Sequence, residues 1–366
     1  MYDYLIVGSG LFGSIFAYEA AKHGFTCLVV DRRSHVGGNI YTECIDDIHV
    51  HKYGAHIFKT SNKVIWDYMN QFAEFNNFVN SPIANYKGEI YNLPFNMNTF
   101  NKLWGISKPD EARKIINEQS KSINNKPKNF EEHAISFVGV DIYHKLIKEY
   151  TEKQWGRSCR DLPVTIMRRL PVRFTYDNNY YNDKYQGIPI GGYTGIINKM
   201  LSNITVKLNI DFIKYKNELY NIAKKIVFTG TIDSFFNYTY GKLDYRSLLF
   251  ITESYKTNNF QGVAVINYTD KDTPYTRSIE HKHFEFGNQP NTIVSYEYPQ
   301  EYNHINEPYY PINDKKNQSR YIQYRKLALT DKKIIFGGRL GEYKYYDMQD
   351  TIISALNLIK KEVIAS

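Results

Sequence analysis

The sequence predicts an α/β protein built around a parallel sheet. Three observations carry the prediction. A short apolar run, a glycine turn, an apolar-periodic helix and a second apolar run follow one another within residues 3–31. Two later runs, KKIVFTG at 224–230 and KKIIFGGRL at 332–340, are strands that close on glycine. Between them, residues 246–300 alternate in polarity and are rich in Tyr, Phe, Val and Thr, the pattern of an antiparallel sheet.

The first unit is the most informative. DYLIVG (3–8) is a buried strand, GSGLFG (8–13) a turn, Leu11 to about His23 a helix stopped by Gly24, and TCLVVD (26–31) a strand ending in an acid. Strand, GxGxxG, helix, strand and acid within about 30 residues is the Rossmann-like dinucleotide-binding pattern. Gly8 makes the tight turn, Gly10 lets the backbone approach a pyrophosphate, and Gly13 lets helix and strand pack. Asp31 stands where a carboxylate accepts ribose hydroxyls. Two more glycine pairs, in RSHVGGN (33–39) and FGGRL (336–340), point to a flavin, which must be held at both ends. A closing helix over 350–363 could aim its positive end at the flavin pyrimidine. No second GxGxxG offers an NAD(P)H site, so the reductant is expected from outside.

Helices are expected over 63–76, from Ser107 to about Ser122, from Asn129 to about Tyr150, and over 161–169. A glycine loop feeds another helix at 187–201, and 206–212 is a strand. The reading is a discontinuous FAD-binding domain (1–76, 187–232 and 332–366). It is interrupted by a helical insertion with a mobile substrate loop (77–186) and an antiparallel-sheet substrate domain (233–331).

Composition narrows the function. The 366 residues carry a net charge of +8, which favours anionic partners, yet basic runs never exceed two residues. A solvated basic surface is the plain reading, a small anionic substrate such as a phosphorylated metabolite fits as well, and no nucleic acid is expected. Cys27, Cys44 and Cys159 are isolated and odd in number, which fits a reducing cytoplasm and neither a disulfide framework nor a cysteine zinc site. No stretch approaches 18 apolar residues, so no membrane insertion is expected. The 33 tyrosines suit a polar, sugar-sized cleft, although AT-rich coding bias explains them equally well. In HVHKYGAHIFK (49–59), His49 and His51 share a strand face but lack neighbours to complete a metal site, so no metal is assigned. YGAHIF reads better as a wall beside the flavin.

The blocks MYDYLIVGSGLFG, HVGGNIYTE, KYGAHIF, YTEKQWG, RLPVRF, YQGIP, PYTR, EHKHF, PYYPI and GGRLGEYKYYDM, in this order over residues 1–350, resemble the bacterial UDP-galactopyranose mutases. The resemblance implies an isomerase that uses reduced FAD. Its flavin N5 attacks the anomeric carbon of UDP-galactose, UDP leaves, and the ring recloses as the furanose without net redox change. It implies Arg169 and Arg277 as the diphosphate clamp, with hydroxyls from Tyr180, Tyr310 and Tyr345. Tyr150 would stack on uracil beside Thr151. Asn80 and Asn267 would contact nucleotide or sugar, Asp347 would lie near the substrate, and Trp155 would ride on a mobile loop. The cofactor set is Gly8, Gly10, Phe12, Gly13, Asp31, Arg32, Gly38, Asn39, His56, Ile57, Arg246, Gly338, Arg339, Tyr346, Asp347 and Met348. His56 would orient the flavin edge. A homodimer and a product destined for surface polysaccharide follow from the same resemblance.

Two departures stand out. Leu146 and Ile147 replace aromatics one turn before Tyr150, and Lys59 (IFKT) replaces a histidine (IFHT). Lys59 is therefore a candidate for accepting UDP-N-acetylgalactosamine as well as UDP-galactose, or else an ion-paired surface lysine. A flavin amine oxidase or dehydrogenase is the alternative class. A non-catalytic nucleotide-sugar binder is a third, for which the flavin glycines would be superfluous.

Overall fold

A computed structural model describes residues 1–123, 126–164 and 172–364. Its spine is a five-stranded parallel sheet. Tyr2–Val7 is central, Cys27–Val30 and Ala223–Phe228 flank it, and Thr205–Lys207 and Ile334–Phe336 form the edges. Successive side chains alternate between faces. Ile6, Val29 and Val227 meet the helices Leu11–Lys22, Tyr193–Leu201 and Met348–Ile359. Leu5, Leu28, Ile226 and Phe228 meet Phe212 and Phe235 on the other side. Both faces are dry, which is why these strands read as continuous apolar runs. Each fully buried Leu, Ile or Val contributes about 1.5–3 kcal/mol. The first helix stops at His23, and Gly24 (φ +84°) turns the chain away.

A seven-stranded sheet forms the second layer. Its order is Tyr310–Pro311, Tyr245–Tyr255, Thr292–Glu301, Arg277–Glu280, Val265–Tyr268, Ile83–Tyr86 and Glu89–Asn92. All pairs are antiparallel except Val265–Tyr268 with Ile83–Tyr86. The last two strands correct the expectation of a wholly helical insertion. They are four residues each, joined at Lys87 and Gly88, both at positive φ. Their sequence, IANYKGEIYN, mixes polar and apolar residues too briefly to show a period.

The remainder of the insertion is helical: Met97–Trp104, Pro109–Ser120 and Phe130–Val138, the last capped by Asn129. After Gly139 the chain runs through a wide π-type turn, Tyr143–Lys148, into the helix Glu149–Trp155. Helix thus extends past the expected end at Tyr150. The helical stretch expected over 161–169 falls largely on residues 165–171, outside the described residues, and so does Arg169. Among the described residues no helix is long and apolar enough to cross a membrane.

Candidate active site

The two layers and the helical insertion line one continuous cavity of about 1640 Å³. Its floor is backbone. Gly8 ends the first strand at φ +108°, and a Cβ there would lie 2.1 Å from Thr229 Oγ1. A Cβ on Gly13 would lie 2.0 Å from the Gly8 carbonyl oxygen. Gly38, at φ +54°, would place one 2.8 Å from the Gly10 Cα, so the GSGLFG and VGGN loops run backbone against backbone. Gly10 precedes the helix Leu11–Lys22 without a side-chain cap, leaving amide donors at the cavity.

Polar groups surround this floor. Asp31 Oδ2 accepts from Ser9 N and Oγ, both at 2.7 Å, and Oδ1 accepts from Arg33 N at 2.9 Å. It therefore braces the glycine turn as well as lining the cavity. The arginine that opens RSHVGGN is Arg33, which was not among the expected cofactor residues. Its guanidinium lies 4.2 Å from the Tyr53 ring and donates to Asn39 Oδ1 (3.0 Å) and Glu307 Oε2 (2.9 Å). Its Nη1 is buried without a partner among the described residues. Arg32, the expected residue, is half exposed and pairs with Glu307. A backbone cradle, uncapped amides and the unpartnered Nη1 of a buried, ion-paired arginine fit a dinucleotide pyrophosphate.

The other glycine pair packs directly against this floor. Gly338 (φ +74°) packs on Phe12, and Arg339 donates to the carbonyls of Tyr346 and Tyr309. The Arg339 guanidinium lies 5.7 Å from the Tyr310 ring and 5.6 Å from that of Tyr345. Met348 begins the closing helix, but Asp347 caps it, accepting from Asp350 N at 2.9 Å. The helix end expected to face the flavin pyrimidine thus already carries a carboxylate.

Arg246 is a correction. It is 3% exposed, lies away from the cavity lining, donates to the Gln154 carbonyl and pairs with Glu301. Its guanidinium terminates the helix Glu149–Trp155 instead of holding a cofactor. Asn80 also lies off the lining. Its backbone is held by Gln186 and Tyr180.

The remaining substrate candidates converge. Arg277 donates from Nε to Tyr150 Oη at 3.0 Å, with buried Glu297 3.7 Å from Nη1. Tyr180, Tyr310, Tyr345, Thr151 and Asn267 line the same cavity, and the Asn267 Oδ1 is buried without a hydrogen-bond partner among the described residues. Leu146 and Ile147 form an apolar patch beside Tyr150. Trp155 lines the cavity too, as the last residue of a helix and not on a loop. Ten of the 33 tyrosines line this cavity, so the surplus is at least partly put to use there.

The 49–59 stretch divides. His49 pairs with Glu285 (2.8 Å), and His51 stacks on Phe284. Among the described residues no cluster of three or more metal-ligating side chains occurs. His56 and Lys59 reach the cavity with Ile57. His56 Nδ1 lies 2.7 Å from the Gly54 carbonyl oxygen, so Nδ1 carries the proton and Nε2 is an acceptor. Burial pushes this imidazole down to about 4, and Arg339 and Arg277 push the same way. Lys59 Nζ sits between Asp183 (3.1 Å) and Asp347 (3.5 Å), 5.2 Å from the Tyr181 ring. It is an ion-paired lysine, but in the cavity wall and not on the outer surface.

The architecture is that of a Rossmann-like dinucleotide-binding protein with a second, ligand-covering layer. Residues 6–72 match the family model described as an NAD(P)-binding Rossmann-like domain, and residues 145–345 match that of UDP-galactopyranose mutase. The chain is 41% identical to a probable UDP-galactopyranose mutase of Klebsiella pneumoniae, covering 96% of this chain and 92% of that one. It is 36% identical to a dTDP-fucopyranose mutase of Escherichia coli, over 96% of each. A crystal structure of reduced UDP-galactopyranose mutase shares the fold at TM-score 0.77 and 15% identity, over 100% of this chain and 96% of that one. Putrescine oxidase shares it more loosely, at TM-score 0.57 and 12% identity, over 100% and 99% of the two chains. This chain belongs to the UDP-galactopyranose mutase family, and it is an isomerase.

Proposed function

We propose that the protein interconverts the pyranose and furanose forms of a UDP-sugar, UDP-galactose first, on a bound FAD. The observation that carries this reading is the single cavity. At about 1640 Å³ it exceeds the roughly 300–1,000 Å³ of an ordinary small-molecule site. It is walled at one end by glycine backbone and at the other by Arg277, Tyr150, Tyr310 and Tyr345. Two ligands in contact fit it.

The reduced flavin, when bound, supplies the nucleophile for the anomeric carbon. The side chains do the rest. Arg277 holds the diphosphate, a role its planar fork suits, and Arg169 is proposed as its partner on the strength of the resemblance. Tyr180, Tyr310 and Tyr345 donate hydroxyls to the same oxygens. Burial raises the pKa of Tyr180 and Tyr310, so both remain protonated donors. Tyr150 offers its ring to uracil while its hydroxyl accepts from Arg277. His56 is neutral and orients what it touches through the Nε2 acceptor. Lys59 contacts the sugar, and its long stem gives room for an N-acetyl group at C2, so UDP-N-acetylgalactosamine is included in the proposal. A homodimer, a cytoplasmic setting and an external reductant complete it.

The test is to incubate the protein with UDP-galactofuranose, with and without dithionite, and to separate products by chromatography. The expected result is UDP-galactopyranose only after reduction, with no stoichiometric loss of reductant. Full activity on oxidised flavin in air would overturn the role of reduced FAD. Stoichiometric oxygen uptake with an oxidised sugar or amine product would support the oxidase reading.

A further inference from the structure

The helix Glu149–Trp155 has two working faces. Tyr150, Thr151, Gln154 and Trp155 line the cavity. Glu149 and Lys153, four residues apart and therefore neighbours on one side of the helix, meet the loop that joins Val265–Tyr268 to Arg277–Glu280. Glu149 accepts from Lys271 N at 3.0 Å. Lys153 enters the loop itself. Its Nζ lies 3.0 Å from the Tyr268 carbonyl oxygen, 2.8 Å from those of Asp270 and Thr273, and 2.9 Å from that of Tyr275. An ammonium has three protons, so four acceptors saturate it. The loop encloses this charge in main-chain oxygens, much as a carbonyl cage encloses a metal cation.

The loop is flanked by site residues. Asn267 precedes it and Arg277 follows it, opposite each other in the hairpin. Arg277 then reaches back to Tyr150 on the helix. Helix and hairpin are thus joined on both sides of one loop, by Lys153 within it and by the Arg277–Tyr150 contact at the cavity.

We infer that Lys153 is a positioning residue: by filling the carbonyl cage of loop 268–275 it fixes Arg277 against Tyr150, and with them the spacing between diphosphate clamp and nucleobase seat. This rests on the proposed UDP-sugar site. A neutral side chain at 153 leaves four carbonyls without their donor, and the loop must then open to water.

The experiment uses the full chain with its cofactor and compares wild type, Lys153→Met, Tyr150→Phe and the double variant. UDP affinity, turnover, flavin absorbance and melting temperature are read on each. Lys153→Met is expected to weaken UDP binding at least about tenfold and to lower kcat/KM about 30-fold or more, with flavin content unchanged. In the Tyr150→Phe background the same change should cost less than about threefold further, because the contact it sets is already gone. Unaltered UDP affinity in Lys153→Met overturns the inference. So do penalties that multiply independently in the double variant, which mark general structural support only. Should Lys153→Met fail to fold, Lys153→Arg, whose donors lie in a plane, is read by the same criteria. A wild-type protein that binds no UDP overturns the proposed site itself, whereas wild-type binding with Lys153→Met unchanged overturns this inference alone.

Discussion

The two ends of the cavity are built by opposite means. At the dinucleotide end the decisive feature is missing side chains: Gly8, Gly13 and Gly38 leave space that a single Cβ would close. The residues responsible sit within about 40 positions of one another. At the other end the decisive feature is charge and hydroxyl, delivered by side chains from segments as far apart as His56, Tyr150, Asn267, Arg277, Tyr310 and Tyr345. Shape made by backbone fails abruptly when altered. Chemistry made by side chains fails by degrees, one interaction at a time.

The comparison breaks most visibly at Gly13. Gly13→Val would drive a side chain into the Gly8 carbonyl, costing more than about 4 kcal/mol. Loss of flavin absorbance together with a collapsed melting temperature is expected, and a yellow, stable variant would contradict the backbone account. Arg277→Ala comes next. It should lower kcat/KM by about 30- to several-thousand-fold, or roughly 2–5 kcal/mol, while flavin content and melting temperature hold. Flavin loss in this variant would instead move Arg277 to the cofactor end.

Acid should separate the two ends more gently. Burial depresses the His56 pKa to about 4 and that of His281 to about 3, and holds His51 well below its ordinary value. The unfolded chain, with histidines near 6.5, then binds more protons between these values. Stability is therefore full above about pH 6.5 and declines as pH falls, by roughly 1.4 kcal/mol per pH unit for each proton taken up. His51 and His281 pack with Phe284 beside the antiparallel sheet. Hydrogen exchange at pH 5 should consequently rise in residues 277–301 before it rises in strands 2–7 and 27–30. A melting temperature flat from pH 7 to 5 would contradict this. The smallest effect is Lys59→His, assayed with both UDP-sugars. Preference for the N-acetyl sugar should fall about tenfold, or about 1.4 kcal/mol. An unchanged ratio returns Lys59 to a purely ion-pairing role with Asp183 and Asp347.

The same contrast explains what could be read from sequence. Four of the five parallel strands were legible because their apolar runs pack between two dry faces. The edge strand expected over 206–212 is only Thr205–Lys207, with Thr205 and Lys207 exposed, so its apolar signal was weak and its bounds were misplaced. The glycine floor was legible because its spacing is local. The hairpin Ile83–Asn92 was not, since two four-residue strands on a sheet edge carry no measurable period. Arg246 was misassigned because nothing in its sequence neighbourhood announces Gln154 and Glu301, which are remote in the chain. The helix-end position of Trp155 was missed for a related reason: Gly156, in the left-handed conformation, was an available stop signal that went unread. Arg33 could have been found, because it is the first residue of RSHVGGN, the stretch already read as a flavin signal. Lys153 could not, because its four partners are backbone carbonyls, and every residue type has one.

The order of strands in the parallel sheet has a consequence for the chain as it is made. The central strand Tyr2–Val7 acquires its first neighbour within 30 residues, but its other neighbour, Ala223–Phe228, follows about 190 residues later. At about 5–20 residues per second, a ribosome takes ~10–40 s to supply it. The last strand, Ile334–Phe336, and Gly338 and Arg339 beyond it come later still. During that interval the glycine turn exists without the Gly337–Gly338 pair that packs on its Phe12. A nascent chain arrested at residue 330 should therefore retain no flavin, and cofactor loading becomes a late event, set by when the final strand emerges.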